Sequence, residues 1–256
     1  MVKKLLKRTS LYIYLKYLRR RYLPSLPERE ESRMVPQRLS FYGNLLTPGD
    51  LCFDVGANIG NRTEIFLKLG AHVIAVEPQH DCSRMLRFRF GEKIQIVQAA
   101  LGESKKEGRI FISDTSEISS LSREWIDSVS TSRFKDNQWN TSQVVKIITL
   151  DDLIEEFGLP QFCKIDVEGY EEQVLKGLTK AIPMISFEYT LPERSDSVSN
   201  CLKKLETLGD FECNYTVGEK MEFESRVWLP GAELIARLNQ IAVEGLFGDI
   251  YIKFKK

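Results

Sequence analysis

Short apolar runs and amphipathic stretches alternate along most of this chain. Runs near residues 51–55, 72–77 and 94–98 have the length and composition of buried strands. Helical spacing of apolar residues occupies residues 60–69 and 81–90 between them. After a long excursion from Gly102 to Leu150 the alternation resumes. Strands are expected over Phe162–Asp166, Met184–Tyr189, Phe211–Val217 and Asp249–Phe254, with helices over Glu171–Gly177 and Ser195–Leu208. Strand and helix in turn predict an α/β fold, a mostly parallel sheet with helices on both faces. The excursion contains two β-like runs, Arg109–Ser113 and Gln143–Thr149, that can pair as a hairpin around a polar stretch rich in Ser and Thr.

The N-terminal part follows a different pattern. Residues 3–22 read as a helix with Leu, Ile and Tyr on one side and basic residues on the other. Pro24, Pro27 and Pro36 then suggest an irregular connection, and a short helix is expected over Gln37–Leu46. The chain therefore divides into a basic helix and linker, residues 1–35, and a body, residues 36–256, with residues 102–150 inserted near a binding site. A chain of 256 residues with 43% apolar and 28% charged side chains can bury a sizeable core. The net charge of zero conceals an asymmetry, because residues 1–22 carry eight basic side chains and no acid. The rest of the chain carries eight more acids than bases.

The five cysteines are scattered, odd in number and form no C-x-x-C pair, so reduced thiols are expected rather than a disulfide or zinc framework. No apolar run approaches the ~20 residues that span a bilayer. The first residues lack the pattern of a secretory signal. A cytoplasmic protein is expected on these grounds.

The candidate chemistry begins at Asp54-Val55-Gly56-Ala57-Asn58-Ile59-Gly60, where a strand runs into a glycine turn and then a helix. Glu77 closes the next strand, where a carboxylate can accept hydrogen bonds from ribose hydroxyls. A dinucleotide site wants G-x-G-x-x-G, and the third glycine is missing. Asp54 would also repel a diphosphate. S-adenosylmethionine combines a sulfonium, an ammonium and a ribose, and suits an acid beside a short glycine turn better. An ordinary turn without ligand remains the alternative for the glycines alone; Glu77 on the next strand weighs against it.

A second strand end, Lys164-Ile165-Asp166-Val167-Glu168-Gly169, also carries acids. In an open parallel sheet the carboxyl ends of the strands form one binding edge. Asp54, Glu77, Asp166 and Glu188 would share that edge and repel one another unless a cation, a sugar or a metal were bound. Singly, such acids are more often helix caps or solvated loop residues.

D-V-G-A-N-I-G, V-I-A-V-E-P, A-L-G-E, T-L-D-D-L and K-I-D-V-E-G-Y-E-E-Q-V-L-K-G together resemble the FkbM family of S-adenosylmethionine-dependent methyltransferases. The resemblance covers about residues 50–190 and, more loosely, the terminal G-D-I-Y. It implies a Rossmann-like class I methyltransferase fold, a seven-stranded sheet with a reversed last strand pair. It implies O-methyl transfer, often to hydroxyls of sugars or secondary metabolites. By position, the methionine end of the cofactor would lie against Asp54, Gly56, Ala57, Asn58 and Gly60. Thr63 matches a position often kept in the family. Glu77, followed by Pro78, would hold the ribose, Gln98 and Ala99 would border the adenine, and Asp166 would face the methyl. Asn61 and Arg62 stand where the family usually has an aromatic residue, and Gln98 where a small polar residue is usual.

A hydroxyl acceptor must lose a proton as it attacks, so a carboxylate within reach is needed. Asp166 is the first candidate for that base, followed by Glu168 and Glu188. His80 is expected beside the ribose instead, and His72 is expected to be structural. The same three acids could offer oxygen ligands to Mg²⁺. Because no His-x-Asp or H-x-x-E pair is present, the metal-free route is preferred. The excursion would supply acceptor specificity through its hydroxyls and the flat faces of Trp125 and Trp139, or would be a flexible polar loop. The leading expectation is an O-methyltransferase acting on a sugar, a lipid-linked glycan or another small acceptor. The alternatives are an N-methyltransferase and a cofactor-binding module without turnover. The basic arm could pack on the acidic body or a second subunit of a homo-oligomer. It could instead lie peripherally at the inner face of a membrane. Nucleic acid is the least favoured partner, since the body is acidic and an N-P-P-Y type tetrapeptide is absent.

Overall fold

The computed structural model describes residues 10–255. Three helices open this part of the chain: α1 (Ser10–Tyr22), α2 (Leu26–Arg33) and α3 (Val35–Gly43). The remainder of the basic helix expected over residues 3–22 lies outside the described residues. Pro27 and Pro36 do not mark irregular chain. Each sits in the first turn of a helix, where the missing N–H has no intrahelical partner to lose. At the start of α2 the Glu28 carboxylate accepts the Ser25 backbone N–H at 2.7 Å.

The central sheet is built from β1 (Leu51–Val55), β2 (His72–Val76), β3 (Gln95–Val97), β7 (Phe162–Ile165), β8 (Met184–Leu191), β9 (Phe211–Tyr215) and β10 (Leu246–Phe254). Their order is β3-β2-β1-β7-β8-β10-β9, and only β10 runs antiparallel to its neighbours. Helices α4 (Asn61–Lys68), α5 (His80–Phe90), α8 (Glu171–Lys176) and α9 (Ser195–Glu206) connect successive strands. This is the seven-stranded sheet expected, with its reversed terminal strand. Strand β10 begins at Leu246 rather than Asp249, because its first residues pair with the end of β8 across Gly248.

Alternation along the strands divides two cores. Phe53, Val55, Ile165, Phe187 and Ile250 point into one core with α8 and α9. Cys52, Phe162 and Tyr251 point into the other, an aromatic cluster with Phe41, Tyr42 and Phe66 from α3 and α4. In the parallel register Asp54 faces Lys164, so both occupy the aromatic side of the sheet at its carboxyl edge.

The excursion forms its own small sheet. Strand β5 (Lys106–Ile112) pairs antiparallel with β6 (Thr141–Ile148), as the hairpin reading expected, and β4 (Ala100–Leu101) adds to the other side of β6. The polar stretch between β5 and β6 is folded, not a flexible loop. It carries α6 (Arg123–Val129), whose Trp125, Ile126 and Val129 are buried. Trp125 is 1% exposed and packs against Phe134 and Trp139. It is core, and offers no flat face to a sugar. The half-buried Trp139 donates its indole N–H to the Ile118 carbonyl at 2.8 Å.

Two further helices have no counterpart in the sequence reading. The helix α7 (Leu150–Phe157) starts at a capping box of Thr149 and Asp152. The helix α10 (Gly231–Ile241) buries Leu234 and Leu238, four residues apart on one face.

Trp125→Ala should cost about 3–5 kcal/mol of stability in urea denaturation, the range for emptying a packed aromatic site. If Trp125 were a sugar platform, the same substitution would leave the unfolding midpoint in place.

Candidate active site

Two motifs meet at the carboxyl edge of the sheet. Gly56 has a φ of 81°, and a Cβ there would lie 1.7 Å from the Asp166 backbone carbonyl oxygen. Only glycine allows the turn after β1 to pass this close to the turn after β7. Gly60 also makes a close approach. A Cβ at Gly60 would meet the rings and methyls of Phe90 and Leu86 on α5. Its lack of a side chain lets α5 pack against the turn.

A cleft of about 480 Å³ opens beside this junction. Gly56, Asn58, Glu77 and Pro78 line one side, and Val76, Ala99 and Leu101 supply an apolar wall. Ile110 and Leu121 close it from the insertion, while Asp166, Glu168 and Tyr170 form the far end. The Glu77 carboxylate accepts backbone N–H groups of Asn58 at 2.8 Å and Gln79 at 2.7 Å. Burial pushes Glu77 up to about 7, against those two bonds. The Pro78 carbonyl accepts the Gln143 side-chain amide at 2.8 Å and so ties the insertion to this rim.

A second cavity of about 960 Å³ lies on the other side of the junction. It shares Gly56, Asn58, Glu117, Asp166 and Glu168 with the first. Asp54 and Ala57 line this second cavity and not the first. Asp54 is buried and accepts the Thr63 hydroxyl. Thr63 thus orients Asp54 and lines neither cavity. Gln98 also lines neither; its side chain contacts His80, Ser83 and Arg87 along α5. His80 likewise lies outside both cavities.

Asp166, Glu168 and Glu188 come together, with one carboxylate oxygen from each within 4.8 Å of the others. Such a set has the donor type for a hard divalent cation. Burial and the neighbouring carboxylates hold both Glu168 and Glu188 well above the usual carboxylate range. Arg133 opposes this, with Nη1 3.8 Å from Glu188 and its guanidinium stacked 3.6 Å from the Phe247 ring centre.

Several residues at the site escaped the sequence reading. Lys164, 1% exposed, places Nζ 2.9 Å from Asp166 and 3.4 Å from Asp249. Burial alone would lower its pKa, but the two carboxylates overcome burial and hold the ammonium well above its ordinary range. A lysine inside the apolar run Phe162-Cys163-Lys164-Ile165, two residues before Asp166, was the available signal. Glu171 accepts the backbone N–H groups of Val167 and Gly169, the residues flanking Glu168. Glu168 itself has a φ of 53°, rare for a side-chain-bearing residue, and its carbonyl accepts the Ser120 hydroxyl at 2.6 Å. Nothing in the local sequence marks Arg133 or Ser120, which the insertion delivers from far along the chain.

A sheet in this order, a glycine turn after its first strand and a buried acid after its second define a class I methyltransferase. The chain belongs to the FkbM methyltransferase family: residues 54–217 match the Methyltransferase FkbM domain. S-adenosylmethionine is therefore the expected methyl donor, and the cleft fits it. Its apolar wall suits an adenine, and Glu77 is fixed where ribose hydroxyls can reach a carboxylate.

Among curated relatives, the hexuronic acid methyltransferase AglP of Haloferax volcanii is 32% identical over 141 residues, 54% of this chain and 54% of its own length. The ribosomal RNA small subunit methyltransferase A of Anaeromyxobacter dehalogenans is 39% identical over 51 residues, 20% of this chain and 18% of its own. The chain thus spans about half the length of the first relative and less of the second. Among solved structures, a precorrin-6y C5,15-methyltransferase from Geobacter metallireducens matches with a TM-score of 0.46 at 13% identity, over 87% of each chain.

Ribose hydroxyls donate to a carboxylate more fully than to a carboxyl group. Affinity for S-adenosylmethionine, measured by titration calorimetry, should therefore rise as pH increases through about 7, where Glu77 loses its proton. Glu77→Gln should weaken binding and flatten that dependence; a pH-independent wild-type affinity would contradict the assignment.

Proposed function

We propose that the protein transfers a methyl group from S-adenosylmethionine to a hydroxyl of a sugar or another small hydroxylated acceptor. The observation that carries this reading is the junction at Asp166 and Glu168, which face both the cofactor cleft and the larger cavity beside it. The cofactor, when bound, supplies a methyl already activated by a sulfonium. The chain's own residues must then hold the acceptor oxygen in line and receive its proton. Positioning of this kind can lower a barrier by on the order of 7 kcal/mol or more.

Asp166 is the proposed base. Lys164 fixes its orientation through the 2.9 Å contact and lines the acceptor cavity itself. The cofactor would supply the methyl and keep the carbon–sulfur electron pair, and the acceptor hydroxyl would give its proton to the Asp166 carboxylate. Glu168 and Glu188 stand beside this path. Their raised proton affinity makes each a strong acceptor once ionised. An N-methyl acceptor would need less help from such a group.

The hexuronic acid named for the Haloferax relative supports a sugar acceptor. Arg133 supports an anionic one. Its Nη1 is buried without a hydrogen-bond partner, and it borders the acceptor cavity beside Phe134 and Phe247. A carboxylate on the acceptor would complete its bonding.

Asp166→Asn should lower turnover roughly 10²–10⁴-fold while cofactor affinity stays within a few-fold of wild type. The decisive assay is transfer from labelled cofactor to glycosides and glucuronides. Full activity of the variant on an acceptor that the wild type methylates would remove Asp166 as the base. Arg133→Gln should raise KM for a glucuronide by roughly tenfold or more, the value of one charge-assisted hydrogen bond, and spare a neutral glycoside. Equal effects on both acceptors would exclude an anion subsite.

A further inference from the structure

Helix α1 is amphipathic in the unexpected sense. Tyr12 and Tyr17 face inward and pack against Ile59, Cys82 and Met85. Tyr17 stacks edge-on to Phe88 at 5.0 Å, and Arg20 donates to the Asn61 side chain at 3.1 Å. The opposite side is also apolar. Leu11, Leu15, Leu18 and Tyr22 recur at spacings of four, three and four, which places them within a stripe about 60° wide.

Leu18 is half-buried, and the rest of the stripe faces solvent. Leu11 is 57%, Leu15 55% and Tyr22 69% exposed, and the adjoining Leu23 and Leu26 are 73% and 74% exposed. Scattered exposed leucines need no explanation, but a contiguous apolar ridge on a helix already docked by its other face does. Arg19 and Arg21 flank the ridge on its two sides, and Lys16 lies beyond Arg19. Arg19 shares its charge with Glu28 at 2.7 Å, whereas Arg21 contacts the neutral side chains of Tyr17 and Tyr22.

We propose that α1 is the membrane-docking surface of the protein and that its partner is an anionic lipid bilayer. The ridge would enter the headgroup boundary while the arginine and lysine heads reach lipid phosphates. Charge selects this occupant. Residues 1–22 carry eight bases and no acid, so a second copy packed symmetrically on the ridge would set like charge against like. An anionic surface reverses that sign, and it repels the acidic body, which keeps contact confined to the arm. Among the described residues no helix is long and apolar enough to cross a membrane, so the contact is peripheral. The inference is independent of the methyl acceptor.

The test is flotation of the full chain with phosphatidylcholine vesicles, with and without phosphatidylglycerol. The full chain should float with the anionic vesicles and be released by high salt. The double variant Leu11→Glu with Leu15→Glu should bind roughly tenfold or more weaker. Both positions are exposed, so its affinity for S-adenosylmethionine should match wild type and certify the fold. Equal flotation with both vesicle types, flotation with neither, or no loss in a correctly folded variant would overturn the proposal. So would a dimer in analytical ultracentrifugation that the double variant dissolves, which would assign the ridge to a second copy.

Discussion

The ammonium of Lys164 is the constraint on which the site depends. It is a buried cation on a central strand, and it holds Asp166 on one side and Asp249 on the other. Strand β7 is thereby tied to the reversed strand β10 through charge as well as through the sheet. Removing one partner of such a pair costs about 3–5 kcal/mol, because the other is left buried and uncompensated. The cation also lets several acids share one edge. Asp54, Asp166, Glu188 and Asp249 share one edge of the sheet, and Lys164 opposes the upward push that burial gives Asp54 and Asp249.

Around this charge centre the backbone is drawn unusually close. The turn at Gly56 touches the Asp166 carbonyl, so the cofactor turn and the proposed base occupy one junction. Glu171 and Ser120 then pin the left-handed conformation at Glu168 from two directions. The insertion matters here, since Ser120 arrives from the stretch that α6 anchors with Trp125. The stretch between β5 and β6 is therefore structural support for the turn at Glu168 and one wall of both cavities.

Legibility in the sequence followed the range of the interactions. The parallel sheet, the hairpin of β5 and β6, and the family were visible because each rests on local periodicity or a contiguous motif. Glu77 lines the cleft because the end of β2 dictates its position. Gly60, Thr63 and Gln98 carry family positions whose protein contacts are long-range; Gly60 packs against α5, Thr63 orients Asp54, and Gln98 turns toward His80. The helices α6 and α10 have no counterpart in the sequence reading, and tertiary burial shows which of their residues face inward. Trp125 was misread because an indole amid serines has the same local signature whether it packs inward or outward.

The chain by itself determined the order of strands and helices, the glycine turn after β1, and the acids that close β1, β2 and β7. These follow from alternation, helical spacing and turn chemistry over a few residues. Only the tertiary structure decided which acids meet, that Lys164 neutralises two of them, and that Arg133 lines the larger cavity. It alone showed that α1 buries one apolar face and exposes the other. Those outcomes depend on distances between residues remote in sequence, and charge and burial act through such distances rather than through the order of the chain.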